Sequence, residues 1–278
     1  VTGNIKLMKV DSVQISDISV SGSVAKLIFG EILNGSLTAE SIDRLTTSVS
    51  KHVPGSTGDF TADLNLTGNR SAKYSLKLAS IKGDLRDADW NIAGNIGSIV
   101  AKGDTSNYSL SIVDDSDTRL DASLDKLVLK DVTTTDVTVE GNIGLVKAAN
   151  WTGGTITAEG ITVVRVDGVM TGDINLLGVT GRGQTLKSMT VKGDVTNVDW
   201  DMIGEIGKLQ INGTATGLDL DILDGDGIGL DASIEKLVLT DVASGDVTVE
   251  GEIEFVRAET WDSGSLTAED IYKSKLPE

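Results

Sequence analysis

An all-β fold, wound as a stack of short coils around one aliphatic interior, is what this sequence predicts, and three observations carry the prediction. First, long phrases recur: "LDASLDKLVLKDV" from Leu120 returns as "LDASIEKLVLTDV" from Leu230, an offset of 110 residues. Second, a pattern of one apolar residue followed by others three and five positions later recurs at thirteen places, mostly 18 to 20 residues apart, with Thr47 and Ser274 its polar exceptions. Third, the stretches between these positions alternate Val, Ile, Leu and Thr with polar residues, as in "DVTVEG" and "TLKSMTVKG", which is strand composition.

The thirteen leading positions are Ile5, Val24, Ile42, Leu76, Ile96, Leu124, Ile143, Ile161, Leu186, Ile206, Ile234, Ile253 and Ile271. Each marks one coil. A half unit at 1–50 holds three of them, and full units at 51–168 and 169–278 hold five each, so the 110-residue repeat is a repeat of five coils. A partial third copy supports the division: "ISVSGSVAKLIFGEILNGSLTAES" from Ile18 matches the segment from Val137 without a gap. An i, i+3 pair also suits a helix, but each interior Gly costs a helix about 1 kcal/mol, and Gly is too frequent here for a helical solenoid. The period therefore predicts a single-stranded parallel β-helix, one continuous domain over 1–278. At about 4.8 Å per coil, thirteen coils would stack to roughly 60 Å.

Corners are expected on either side of each coil's first strand. Two residues before the leading position the side chain is often small (Gly3, Gly94, Gly204, Ala122), and seven after it Gly, Asp or Asn is frequent (Gly83, Gly103, Gly213, Asn150). These residues accept the positive φ of a sharp bend, and the smallest let successive layers approach closely.

Composition narrows the function classes. With 24 basic and 42 acidic residues the net charge is −18, which repels nucleic acid and anionic membranes. Hydrophobic residues make up 39% but aromatic ones only 4%, so the interior is aliphatic. No cysteine is present, which excludes disulfides and thiolate chemistry. No apolar run reaches the roughly 18 residues of a membrane span, and "VTGNIKLMKV" has no apolar leader, so the chain reads as a mature product or a fragment of a longer one.

The coil motif resembles that of right-handed parallel β-helices. Phrases such as "GNIGSIVAKGD" and "EGNIGLVKAANW" are similar to repeats in very large secreted or surface-attached bacterial proteins, and the resemblance covers essentially the whole chain. It implies an extracellular or cell-surface location. Its motif is a packing rule and specifies no activity, since β-helices also include polysaccharide lyases, hydrolases, adhesins and phage tailspikes.

Four features are candidates for a site. The loop "DLDILDGDGIGLD", with Asp219, Asp221, Asp224 and Asp226, and its repeat mate "SIVDDSDTRLD", with Asp114, Asp115 and Asp117, place carboxylates at close spacing before or among small residues. Hard cations take several oxygens on such a turn, so Asp114, Asp117, Asp224 and Asp226 are candidate calcium ligands; a solvated acidic loop is the simpler reading, and neither loop continues into an EF-hand. Trp90 pairs with Trp200 and Trp151 with Trp261 across the repeat, and Ile32 replaces Trp151 in the partial copy, which predicts packing rather than a sugar platform. His52 is the single histidine, and an exposed loop beside Pro54 suits it better than catalysis. Asp125–Lys126 and Glu235–Lys236 are read as solvated neighbours forming weak ion pairs.

These readings converge on a non-catalytic structural or adhesive solenoid segment of a larger extracellular bacterial protein. The expected partners are flanking modules or another copy stacked on open coil ends, with no nucleic acid, no membrane insertion and no cofactor other than the candidate calcium. The enzymatic alternative is a polysaccharide-binding or polysaccharide-degrading β-helix using carboxylates, with or without calcium. Near-identical units weigh against it, because an active site is normally built once.

Overall fold

The computed structural model describes residues 1–49, 51–69, 71–114, 122–178, 183–225 and 230–277. The fold is all-β: strands run from Met8–Val10 to Ser274–Lys275, and no helix occurs among the described residues. Among the described residues, no helix is therefore long and apolar enough to cross a membrane. The chain divides into two compact units, Val1–Asn142 and Ile143–Glu278.

In the first unit, one ladder joins Met8–Val10, Val24–Phe29, Ile42–Thr47, Leu76–Ile81, Ile96–Ala101 and Ser123–Val128, every pair parallel. The three-and-five spacing explains why. The leading residues fall in register as the column Val24, Ile42, Leu76, Ile96, Leu124, and those three positions later as Leu27, Leu45, Ala79, Ile99, Leu127; all are at most 1% exposed. A second parallel ladder joins Val13–Ser19, Ile32–Ala39, Asp63–Leu66, Leu85–Ala93, Thr105–Val113 and the start of Asp131–Ala148. Its inward column includes Leu37, Leu64, Trp90, Leu110 and Val137. Each aliphatic side chain buried in such a column contributes about 1.5–3 kcal/mol, offset by the entropy of ordering it.

The second unit repeats this plan. Ile161, Leu186, Ile206 and Ile234 stand in register, as do Val164, Met189, Leu209, Leu237 and Val256. The other ladder sets Ile156, Ile174, Trp200, Leu220, Val247 and Leu266 in one column. Packing changes toward the last strands: Ile271, paired with Ile253, is 39% exposed, whereas its repeat mate Ile161 is 1% exposed.

The corner prediction needs correcting in one respect. Gly83 and Gly103 have no positive φ; what they supply is closeness. A Cβ on Gly103 would stand 2.4 Å from the Gly83 carbonyl, so the two segments meet backbone to backbone. At the small residue before the leading position the expectation holds, with positive φ at Gly3 (97°), Gly94 (90°) and Gly204 (96°); left-handed backbone also occurs within the second ladder, at Asp87 (φ 50°), Asn107 (46°) and Thr134 (54°) in the first unit and at Asn197 (49°) and Gly217 (61°) in the second. At each of these ladder positions one residue steps out of the pairing and bends its strand. Asn, Asp and Gly dominate because they tolerate this conformation most easily.

Candidate functional site

Many of the acidic side chains join one strand to the next in its ladder. In the first unit Asp59 Oδ1 accepts the Asp84 N–H at 2.9 Å, and Asp84 Oδ1 accepts the Asp104 N–H at 2.9 Å. Asp104 in turn receives Lys130 Nζ at 2.8 Å. The second unit uses the same device: Asn150 Oδ1 takes the Val169 N–H and Asp194 Oδ1 the Thr214 N–H, each at 2.9 Å. A further column repeats it within the second ladder, where Asp63 accepts from Asp89 and Asp173 from Asp199. Carboxylate and amide oxygens are placed to satisfy N–H groups that the bends take out of the ladder.

The acidic loops follow the same logic. Asp114 donates its N–H to Glu140 Oε2 at 2.6 Å, and its own carboxylate accepts the Ala122 N–H. Asp224 donates to Glu250 Oε2 at 2.6 Å, and its carboxylate accepts from Ala232. Asp114 and Asp224 thus clip the two ends of their loops together. Asp115, Asp117 and Asp226 lie outside the described residues. Among the described residues, no group of three or more His, Asp or Glu side chains is arranged to hold a metal ion. Glu140 and Glu250 were not singled out from the sequence, although both end the duplicated phrase "DVTVE". The repetition was the available signal; their partners 26 residues earlier were not.

The outward face of the second unit's ladder carries a lattice of aspartates. Asp173, Asp199, Asp219 and Asp246 form one column, and Asp201 and Asp221 stand beside it. Partial burial, reinforced by Asp199, Asp221, Asp219 and Asp173, holds the Asp201 carboxyl above its ordinary pKa. Asp219 is raised likewise by partial burial and then by Asp221, Asp199 and Asp246. Asp167 goes the other way, lowered chiefly by its hydrogen bond from Lys192 with help from Lys147. The first unit dilutes the lattice: Ser109 replaces Asp219, Asn91 replaces Asp201 and Ser111 replaces Asp221. Near the second acidic loop, an open cleft of about 610 Å³ is lined by Glu205, Asp224, Asp231, Glu252 and Glu269. Five carboxylates there would repel an anionic polymer.

The remaining candidates resolve structurally. Trp90, Trp151 and Trp200 are fully buried, as packing positions should be. Trp261, the repeat mate of Trp151, is only partly covered. His52 is exposed. Asp125 accepts the Tyr74 hydroxyl at 2.8 Å and Glu235 accepts Gln184 Nε2 at 2.7 Å, so both carboxylates serve cross-coil contacts in place of the expected pairing with the adjacent lysines.

Comparison of the chain with protein-family models, with curated proteins and with solved structures finds no match.

Proposed function

We propose that this chain is a non-catalytic structural or adhesive segment, a single-stranded parallel β-solenoid belonging to a larger extracellular bacterial protein. The observation that supports the reading most is where the polar side chains go. Loop clips at Asp114 and Asp224, backbone clips at Asp84 and Asp194, and cross-coil contacts at Tyr74 and Gln184 occur at repeat-equivalent places in both units. Chemistry duplicated in this way maintains a scaffold. The leading positions that stand in register one coil apart are what a solenoid requires. Open strand edges favour pairing, so the partners of this reading are flanking modules or another copy.

Unit deletion tests this. Removing residues 169–278 is expected to leave a folded, cooperatively melting protein, because each repeat packs chiefly on its neighbours. Loss of folding in the shortened chain counts against the modular solenoid. Catalysis is tested separately, by incubating the chain with neutral and acidic polysaccharides, with and without calcium, and measuring release of new reducing ends. No release is expected, and release would establish the polysaccharide-degrading alternative. The binding form of that alternative has one observation in its favour, a neutral groove in the first unit lined by Asn65, Asn91 and Ser111 beside the exposed Val113.

A further inference from the structure

The interior of the first unit holds three buried polar atoms without a hydrogen-bond partner: Trp90 Nε1, Thr105 Oγ1 and Tyr108 Oη. All three residues are at most 1% exposed. Two of them are neighbours, and the third is on the same strand. Tyr108 packs edge-on against Trp90 with ring centroids 5.4 Å apart, and Thr105 precedes Tyr108 on the same strand, Thr105–Val113. The repeat supplies an internal control. At the equivalent places the second unit has Ala215 for Thr105 and Leu218 for Tyr108, while Trp200, the mate of Trp90, donates its Nε1–H to the Gly172 carbonyl at 3.1 Å. Ala62 stands where Gly172 would be in the first unit. Below Tyr108 in the ladder is Ala88, where the second unit has the larger Val198 under Leu218.

Three polar atoms in one aliphatic interior, replaced together by apolar or partnered ones in the sister unit, are not accounted for by packing. A buried hydroxyl or indole N–H is satisfied in nearly all folded proteins, by ordered water when protein atoms do not reach it. We propose that the first unit contains an internal hydration site in which bound water joins Trp90 Nε1, Tyr108 Oη and Thr105 Oγ1. The second unit has no counterpart at the equivalent place. The indole and one hydroxyl can donate while the other hydroxyl accepts, which gives a water the two to four partners that it needs.

The test uses the full chain. In the 15N-labelled wild-type protein, the indole N–H of Trp90 is expected to show dipolar cross-peaks to long-lived water, and that of Trp200 none. Tyr108→Phe and Thr105→Val, which keep the shape and remove the hydroxyl, are each expected to lower Tm by about 2–4 °C, since a bridged hydroxyl contributes stability. A Tm that is unchanged or raised in both variants would mean unpartnered hydroxyls, whose removal relieves a desolvation cost. That result, or a Trp90 indole without a water cross-peak, overturns the proposal. The wild-type measurement decides even if a variant fails to fold.

Discussion

Tyr74 donates its hydroxyl to Asp125 at 2.8 Å across 51 residues, and Gln184 donates its amide to Glu235 at 2.7 Å across the same separation. Each contact passes over an intervening strand, Ile96–Ala101 in the first case and the start of Glu205–Leu223 in the second. A glycine marks the crossing: a Cβ on Gly97 would lie 2.6 Å from the Lys77 carbonyl and 3.5 Å from the Tyr74 ring, and one on Gly207 2.6 Å from the Lys187 carbonyl and 2.9 Å from the Gln184 amide oxygen. Different side chains therefore make one strut at equivalent positions. What is retained is the reach and the acidic partner.

The strut predicts a graded response. Tyr74→Phe removes one exposed hydrogen bond and should cost about 0.5–1 kcal/mol. Gly97→Val forces its strand away from the Lys77 carbonyl and should cost more, about 1–3 kcal/mol, as overpacking does. Urea unfolding of the two variants checks the order. Equal stability of Gly97→Val and wild type would mean that the close approach has no energetic role.

The backbone clips predict a chemical equivalence. Asn150 performs in the second unit what Asp84 performs in the first, so an amide oxygen suffices as acceptor. Asp84→Asn should leave the melting temperature nearly unchanged. Asp84→Ala leaves the Asp104 N–H without its acceptor and should cost about 1–2 kcal/mol. Calorimetry distinguishes the two, and equal losses would show that charge, rather than hydrogen bonding, is what Asp84 contributes.

How much of this was legible in the sequence follows from the range of each interaction. The inward columns were readable because the three-and-five spacing is the direct trace of Val24, Ile42 and Leu76 standing over one another, and registry one coil apart needs only the coil length. The struts were hidden. Connecting Tyr74 to Asp125 requires adding a 20-residue coil to a 28-residue one and recognising that Gly97 opens the path between them. The loop clips were half visible: the acids at 114 and 224 stood out, but they suggested cation ligands because their backbone partners are set by the fold. Bends at Asp87, Asn107 and Thr134 carried no clear signal, because glycine is the usual mark of a corner and Thr134 is a poor left-handed residue.

The aspartate lattice predicts an inverted pH response. Asp201 and Asp219 have folded-state pKa values raised above their unfolded ones, so their ionisation opposes folding. The penalty is full above the folded pKa and disappears as pH falls below the unfolded value near 4. Asp201→Asn and Asp219→Ser, which install the first unit's residues, should therefore stabilise the protein at pH 7. Discounted for solvent screening at these largely exposed positions, the gain is on the order of 0.2–0.5 kcal/mol each. It should shrink on acidification toward pH 4 and in high salt. Denaturant midpoints at pH 7 and pH 4, at low and high salt, check this; a pH-independent gain would mean that repulsion is not its source.

Trp151 and Gly172 form a tightly fixed pair in the second unit, and the repeat explains why. A Cβ on Gly172 would lie 2.4 Å from Trp151 Cδ1 and 2.6 Å from Nε1, so the indole occupies the space that a side chain at position 172 would need. In the first unit the partners have changed together: Ile32 stands for Trp151 and Ala62 for Gly172, and both are fully buried. Gly172→Ala should thus destabilise the protein by about 1–3 kcal/mol, with added loss if the displaced backbone weakens the Trp200 bond to the Gly172 carbonyl. Trp151→Ile alone removes bulk and should cost a similar amount. The double variant Trp151→Ile/Gly172→Ala recreates the first unit's solution and should be more stable than the sum of the single losses implies, by about 1 kcal/mol or more in a double-mutant cycle. A coupling near zero would show that the two positions adapt independently and that their joint replacement across the repeat has another origin.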